Sequence, residues 1–417
     1  MASYPYYTEP THDRGVVTDA SGNGARSSST SSSEGRLIVD AVDKIFLLEP
    51  NKHPLVTLMT QVRASDGVYP GSRLMKAPTG NPEFKWFEDY YGGRFAKVAA
   101  AYTASAAAID VTGAGSNSAY IFTTGDIVKN SRTNEQFLVT SITDGNTIAV
   151  TSAFGTTATA AGVAGDELFI VGNANEENSG VRNVNTTRST AQSNYTQIFK
   201  TTIALSNTEK ESNLYGGPDL PYLRGKKGTE HALDIERAFW FGEKKSDTTG
   251  TQGTPRRVTG GVHEFLTSCN SYVQNQGGAL TAPDLNTFLR EAFTYGNSEK
   301  MLFAGGIVLQ AINEIARGQV RTKTGDTSYG VKVSEWMTAF GTINIVHNPL
   351  FVGTYAGSAY LLDMEGFKYR YMNNRDTKLE TNVQTPGLDG IVDQYITECG
   401  LERKQSPRHA LLKGVSA

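Results

Sequence analysis

Few side chains in this chain could do covalent chemistry, and their spacing works against most of it. Two carboxylate pairs come first, Glu88-Asp89 and Asp234-Glu236. General acid/base catalysis needs two carboxyls that share a proton or flank one reacting atom. Neighbours on a strand point to opposite faces, and residues two apart on a helix also face apart. Neither pair forms a dyad on that reading. The six histidines (His12, His53, His231, His263, His347 and His409) share no helical or strand spacing, and HExxH is absent. No metal site is therefore expected. His231, alone on a helical stretch, is expected as an ordinary core or surface residue.

Nucleotide and nucleophile signatures are missing too. There is no GxxxxGK[ST] phosphate cradle, and Gly113-Ala114-Gly115 lacks the third glycine of a dinucleotide motif, so it reads as a turn. Without a GxSxG elbow, the many serines mean solvation rather than catalysis. Cys269 and Cys399 match no CxxC spacing and fit a reducing compartment better than one long-range disulfide. No catalytic, cofactor-binding or metal-ligating residue is expected, and the chain is read as not an enzyme. Arg224-Gly225-Lys226-Lys227 and the group Arg317, Arg321 and Lys323 could touch phosphate. Solvation or pairing with a partner's carboxylates is the commoner fate of such charges, and is the expectation here.

What these residues sit on follows from composition and period. The chain has 417 residues, 39 basic against 42 acidic, for a net charge of -3, so it has no overall basic field for nucleic acid. At roughly 150 residues per domain, that length allows two or three packed units. Mean hydropathy is -0.35 with 38% hydrophobic residues, the balance of a soluble folded chain. The start of the chain lacks a basic n-region and an apolar h-region, so no secretory signal is expected. The longest weakly apolar run, residues 96–109, is shorter than the about 20 residues a bilayer span needs, so no membrane segment is expected.

Residues 1–34 are Ser-, Thr-, Gly- and Tyr-rich and show no apolar period. Leu37, Ile38, Ala41, Ile45 and Leu48 then recur at helical spacing, Pro50 and Pro54 interrupt, and Leu55, Leu58 and Met59 form a second short turn. Residues 65–104 read as an extended ribbon punctuated by Gly and Pro, with strand alternation over 84–89. Trp86 and Phe87 on it are either ordinary buried residues or contacts onto another subunit. Residues 105–175 hold four short strand candidates, 125–128, 136–142, 147–150 and 168–171, with a hairpin signal at Asp144-Gly145-Asn146. A strand opens at Gln197, and a long helix over 222–241 offers Leu223, Ala232, Ile235 and Phe239 to a core before Gly242. Thr281 caps a helix carrying Leu285, Phe288, Leu289 and Ala292. A buried strand over 300–304 and a helix with Val308, Leu309, Ile312 and Ile315 follow. Strands at 336–340, 343–346, 360–362 and 392–401 complete an α+β reading.

This order of parts resembles the Hong Kong 97-type major capsid proteins of tailed phages over most of residues 36–417. The local signs are Gly80-Asn81-Pro82-Glu83-Phe84-Lys85-Trp86-Phe87-Glu88-Asp89, Gln197-Ile198-Phe199, Glu398-Cys399-Gly400-Leu401-Glu402 and Pro407-Arg408-His409-Ala410. The resemblance implies an N-terminal arm (1–45), an extended E-loop region (46–104 and 176–200) and an inserted small β-barrel or sandwich (105–175). It further implies a peripheral domain with a spine helix (201–262 and 359–417) and an axial domain (263–358). It implies a structural protein that self-assembles into hexamers and pentamers of an icosahedral head around double-stranded DNA, which it encloses rather than reads. Copies of itself, a separate scaffolding protein (the arm being short for a fused one), a portal and decoration proteins are the implied partners. Assembly is implied in the host bacterial cytoplasm and residence in the virion. Trp86, Phe87 and Arg94 are then expected at inter-subunit contacts. Two rivals predict different things. A tail, decoration or surface-layer protein would build on β modules like 105–175. A polysaccharide hydrolase would show two facing carboxylates about 5–10 Å apart.

Overall fold

The computed structural model describes residues 53–60, 75–113, 118–212, 219–249, 253–269, 271–319, 323–324 and 333–416. The helical signal at 37–48 and the polar stretch 1–34 lie outside them, as does Arg321. The chain divides into two units, one of Met1–Lys52, Phe199–Asp234 and Thr377–Ile396, the other of His53–Ile198, Ile235–Asp376 and Thr397–Ala417.

The larger unit holds a mixed seven-stranded sheet. Its strand order is Tyr272–Ala279, Ala410–Ser416, Ala359–Leu362, Glu299–Ala304, Thr342–His347, Val333–Met337 and Lys323–Thr324. Glu299–Ala304 is central, parallel to Thr342–His347 and antiparallel to Ala359–Leu362. Helices Ala282–Ala292 and Gly306–Gln319 cover the sheet; the spacing read from the sequence places the core residues of the first, while on the second Val308 and Ile312 are buried and Leu309 and Ile315 only partly so. Leu285, Phe288, Leu289 and Ala292 are buried with Val308 and Ile312 against Leu302, Ile343, Leu361 and Leu412. At about 1.5–3 kcal/mol for each large side chain removed from water, this is a principal source of the unit's stability.

The first helix starts where a capping box forms. Asp284 N–H donates to Thr281 Oγ1 at 3.4 Å, and Thr281 N–H donates to the Asp284 carboxylate at 3.3 Å. Thr281→Ala should therefore lower the unfolding free energy by about 1 kcal/mol. Chemical denaturation reads this directly, and an unmoved midpoint would contradict it.

The same unit also contains a closed six-stranded barrel. It runs Phe95–Val98, Ala108–Thr112, Thr147–Thr151, Gln136–Ile142, Asp126–Asn130 and Glu167–Asn173. Val98, Val111, Phe122, Val128, Phe137 and Ile148 fill it. The hairpin at 144–146 is held by Asp144, whose Oδ1 accepts from the backbone N–H groups of Asn146 and Thr147, each at 2.8 Å. The four strand candidates are present. The barrel also takes in Phe95–Val98, which the sequence reading left in the ribbon. There Ala96 and Val98 point inward while Phe95 and Lys97 point out, an alternation hidden by the Ala-rich run.

The ribbon itself is the antiparallel pair Glu83–Glu88 and Thr190–Tyr195. Lys76–Thr79 runs parallel to Phe367–Met372, which pairs antiparallel with the second half of the long strand Gly390–Arg403. The strand expected over 336–340 ends at Met337, because Thr338 turns the chain through N–H and Oγ1 bonds to Gly341 O.

The long helix spans Asp219–Phe241. Within the larger unit it buries Ile235, Glu236, Phe239 and Trp240. Gly242 follows its last residue, at a position where a Cβ would run into Thr259 O and Ala238 O. Within the smaller unit it buries His231 and Leu233, whereas Leu223 and Ala232, expected in the core, are half-buried. Lys378–Glu380 pairs there with the first half of Gly390–Arg403, beside Gln197–Ser206. Among the described residues no helix is long and apolar enough to cross a membrane.

Candidate functional site

The two carboxylate pairs split as their spacing requires. Glu88 is buried and accepts from Trp86 Nε1 at 2.8 Å, Gln405 N–H at 2.9 Å and the Tyr90 hydroxyl at 3.1 Å. Asp89 is exposed and accepts from Thr187 Oγ1 at 2.9 Å. Asp234 is likewise exposed while Glu236 is buried. Neither pair can work on one proton.

Among the described residues no cluster of three or more His, Cys, Asp or Glu side chains could hold a metal ion. Three of the histidines are set into separate places. His231 pairs with Thr201 Oγ1 at 2.9 Å and His263 with the Tyr360 hydroxyl at 2.9 Å. His409 takes the Asp363 N–H on Nδ1 at 3.1 Å, and burial pushes it down to about 4. Two members of the basic cluster, Arg224 and Lys227, pair with carboxylates of the chain itself rather than with a partner's. The Arg224 guanidinium grips the buried Asp393 carboxylate at 2.6 and 2.8 Å, and Lys227 meets Glu230 at 2.6 Å.

What stands out instead is a surface on the ribbon. Strand alternation over Glu83–Glu88 puts Phe84, Trp86 and Glu88 inside and Glu83, Lys85 and Phe87 outside. This corrects one expectation. Trp86 was placed at an inter-subunit contact, but it is only 8% exposed and is taken up by its own chain through Phe84 and the Glu88 carboxylate. Phe87, its neighbour, is 74% exposed and Tyr91 entirely so. Arg94 is exposed as well, while its carbonyl accepts from Ile170 N–H at 2.8 Å and fixes the ribbon to the barrel.

The segment that returns from the barrel, residues 174–189, has no regular structure but is held by side chains. Arg182 pairs with Asp126 and donates to Thr124 O, Asn185 Nδ2 donates to Tyr120 O at 2.9 Å, and Thr187 Oγ1 donates to Tyr90 O at 2.8 Å. Between these anchors Val181 is 100% exposed and Val184 87%. A groove of about 1030 Å³ lies alongside, lined by Tyr91, Arg94, Ile121, Ile170, Arg182 and Asn185 among others. Backbone this well anchored that still holds large apolar side chains in water is suited to contact with another surface. The sequence signal for Phe87 and Arg94 was the ribbon itself. For Val181 and Val184 the sequence reading gave none.

The sequence model of the SU10 major capsid protein family matches residues 19–416. The chain belongs to that family. A relative, the major capsid protein of Pseudomonas phage PaMx41, is 25% identical over 347 residues, covering 76% of this chain and 82% of the other. Among solved structures, the capsid of the native GTA particle is 8% identical over 93% of this chain and 98% of its own, with a TM-score of 0.47. The capsid of the Myoviridae phage XM1 is 10% identical over 92% and 100%, with a TM-score of 0.45. Membership of the SU10 family makes the chain a structural component of a phage capsid and sets aside both the tail or surface-layer reading and the hydrolase reading. The element order, from extended ribbon through long helix to helices on a sheet and back to strands, is the Hong Kong 97-type plan.

Proposed function

We propose that this chain builds an icosahedral phage head by forming hexamers and pentamers, and that the shell encloses double-stranded DNA without reading its sequence. The observation that carries this is the outward display of Phe87, Tyr91, Val181 and Val184 on anchored backbone beside the exposed Arg94. Burying such residues against a neighbouring copy would create contacts of the large, obligate kind. Repeated head-to-tail around local five- and six-fold axes, those contacts close a shell. The division into arm (1–45), E-loop region (46–104 and 176–200), inserted β module (105–175), peripheral domain (201–262 and 359–417) and axial domain (263–358) belongs to the same proposal. So do a separate scaffolding protein, a portal, decoration proteins and assembly in the host cytoplasm, all drawn from the family resemblance. The net charge of -3 supports enclosure over direct nucleic-acid binding. A reconstruction of purified heads tests the reading. Phe87 and Arg94 should lie at subunit boundaries within five- and six-fold clusters, and their facing open solvent on every copy would overturn it.

A further inference from the structure

A cationic groove of about 830 Å³ lies at one end of the ribbon, lined by residues 78–85, Tyr195, Ser246, Arg257 and Arg370. Pairing in the short hairpin Lys245–Asp247 and Arg256–Val258 explains part of that lining. Ser246 lies opposite Arg257 and both face the groove, while the next pair, Asp247 and Arg256, points to the other side. Lys85, on the outward face of its strand, lines the groove as well. Lys244 reaches its edge, where Nζ donates to Ser193 Oγ at 2.7 Å and lies 5.3 Å from the centre of the Tyr195 ring. Two carboxylates answer these cations. Glu83 meets Lys85 at 3.6 Å, and the buried Glu402 takes Arg370. Arg257 and Lys244 are left with no ion pair among the described residues.

A complementary element stands at the other end. Where the chain leaves the barrel, Ser179 N–H donates to Glu176 O at 3.1 Å, closing a turn that presents Glu176 and Glu177 to solvent. The bond from Ala174 N–H to Gly125 O at 3.0 Å and the Arg182–Asp126 pair hold that turn to the barrel from both sides. Neither carboxylate has an ion pair among the described residues. The groove adjoins Glu83, whereas the turn lies beyond Glu88, where the ribbon joins the barrel. Strand rise puts roughly 17 Å of ribbon between them.

We propose that the Glu176-Glu177 turn of one copy docks into the groove at Lys85 and Arg257 of the next copy, an inference that rests on the reading of this chain as a shell subunit. Charge selects the occupant, since two adjacent carboxylates match two uncompensated cations, and a guanidinium takes a carboxylate through two parallel N–H bonds. Placement selects a second copy. Complementary patches at opposite ends of one ribbon make a head-to-tail contact, and such contacts close rings when the rotation allows. Val181 and Val184, on the same anchored segment, leave water alongside and supply the apolar part of the contact. The exposed charges then set register and partner choice more than binding strength.

Shell yield from the full chain, expressed with its neighbouring phage genes and measured by sedimentation, tests the pairing. Arg257→Glu alone, and Glu176→Lys with Glu177→Lys, should each cut the yield at least about tenfold, because like charges then meet. All three changes together should restore it to within about threefold of the unaltered chain. Lys85→Glu, at an exposed strand position, takes the place of Arg257→Glu should that variant not fold. Full yield from either reversal, or losses that the combination does not restore, overturns the pairing while shells from the unaltered chain uphold the capsid reading. A DNA duplex bound by the unaltered subunit and released by Arg257→Glu, with assembly unchanged, assigns the groove to phosphate and also overturns it. Single subunits from the unaltered chain overturn the capsid reading and the pairing together.

Discussion

Trp240→Ala should lower the unfolding free energy by about 3–5 kcal/mol, the largest single effect expected in the core. The indole is fully buried. Its ring meets Phe303 at 5.1 Å, Phe351 at 4.9 Å and Tyr360 at 5.1 Å between centroids, at angles from 54° to 88°. Such tilted and edge-on pairs add to the area they bury. Truncation leaves a cavity among three rigid rings with little means of collapsing, and removes one of the three donors that hold the buried Glu236. Denaturation followed by far-ultraviolet circular dichroism measures the loss, and a change below about 1 kcal/mol would show that the rings close over the gap.

Phe87→Asp should leave the subunit's own stability within about 0.5 kcal/mol of the unaltered chain and yet cut the yield of closed shells at least about tenfold. The first half follows from exposure, since a side chain 74% in water has little native packing to lose. The second follows from placing a charge where an apolar side chain would be desolvated against a neighbour. Trp86→Ala supplies the contrast. One position back on the same strand it faces inward, carries the Glu88 bond and should destabilise the subunit itself. Shells at normal yield from Phe87→Asp would remove the ribbon from the assembly surface.

These neighbours show how far the sequence could be read. Alternation over 84–89 says that Trp86 and Phe87 face apart but not which of them faces in. Parity is settled by Glu88, which is drawn inside by the Gln405 amide, 317 positions away. Local signals fared best. The Thr281–Asp284 capping box, the apolar stripe of Ala282–Ala292 and the turn at 144–146 are each set by residues within a few positions. Elements whose reason is distant were missed. Tyr272–Ala279 is a strand because Ala410–Ser416 lies parallel beside it, and its Gln, Asn and Gly residues carry no strand signal alone. Glu236 read only as half of a disqualified pair, because its partners Leu55 and Val56 lie far along the chain. That Glu88 and Asp89, and Asp234 and Glu236, face apart was legible too, since local geometry alone separates them.

Electron microscopy of the protein, expressed alone and then with its neighbouring phage genes, tests the central claim most directly. Closed shells of uniform diameter in either preparation are the expected result. Monodisperse single subunits in both would contradict a self-assembling capsid protein.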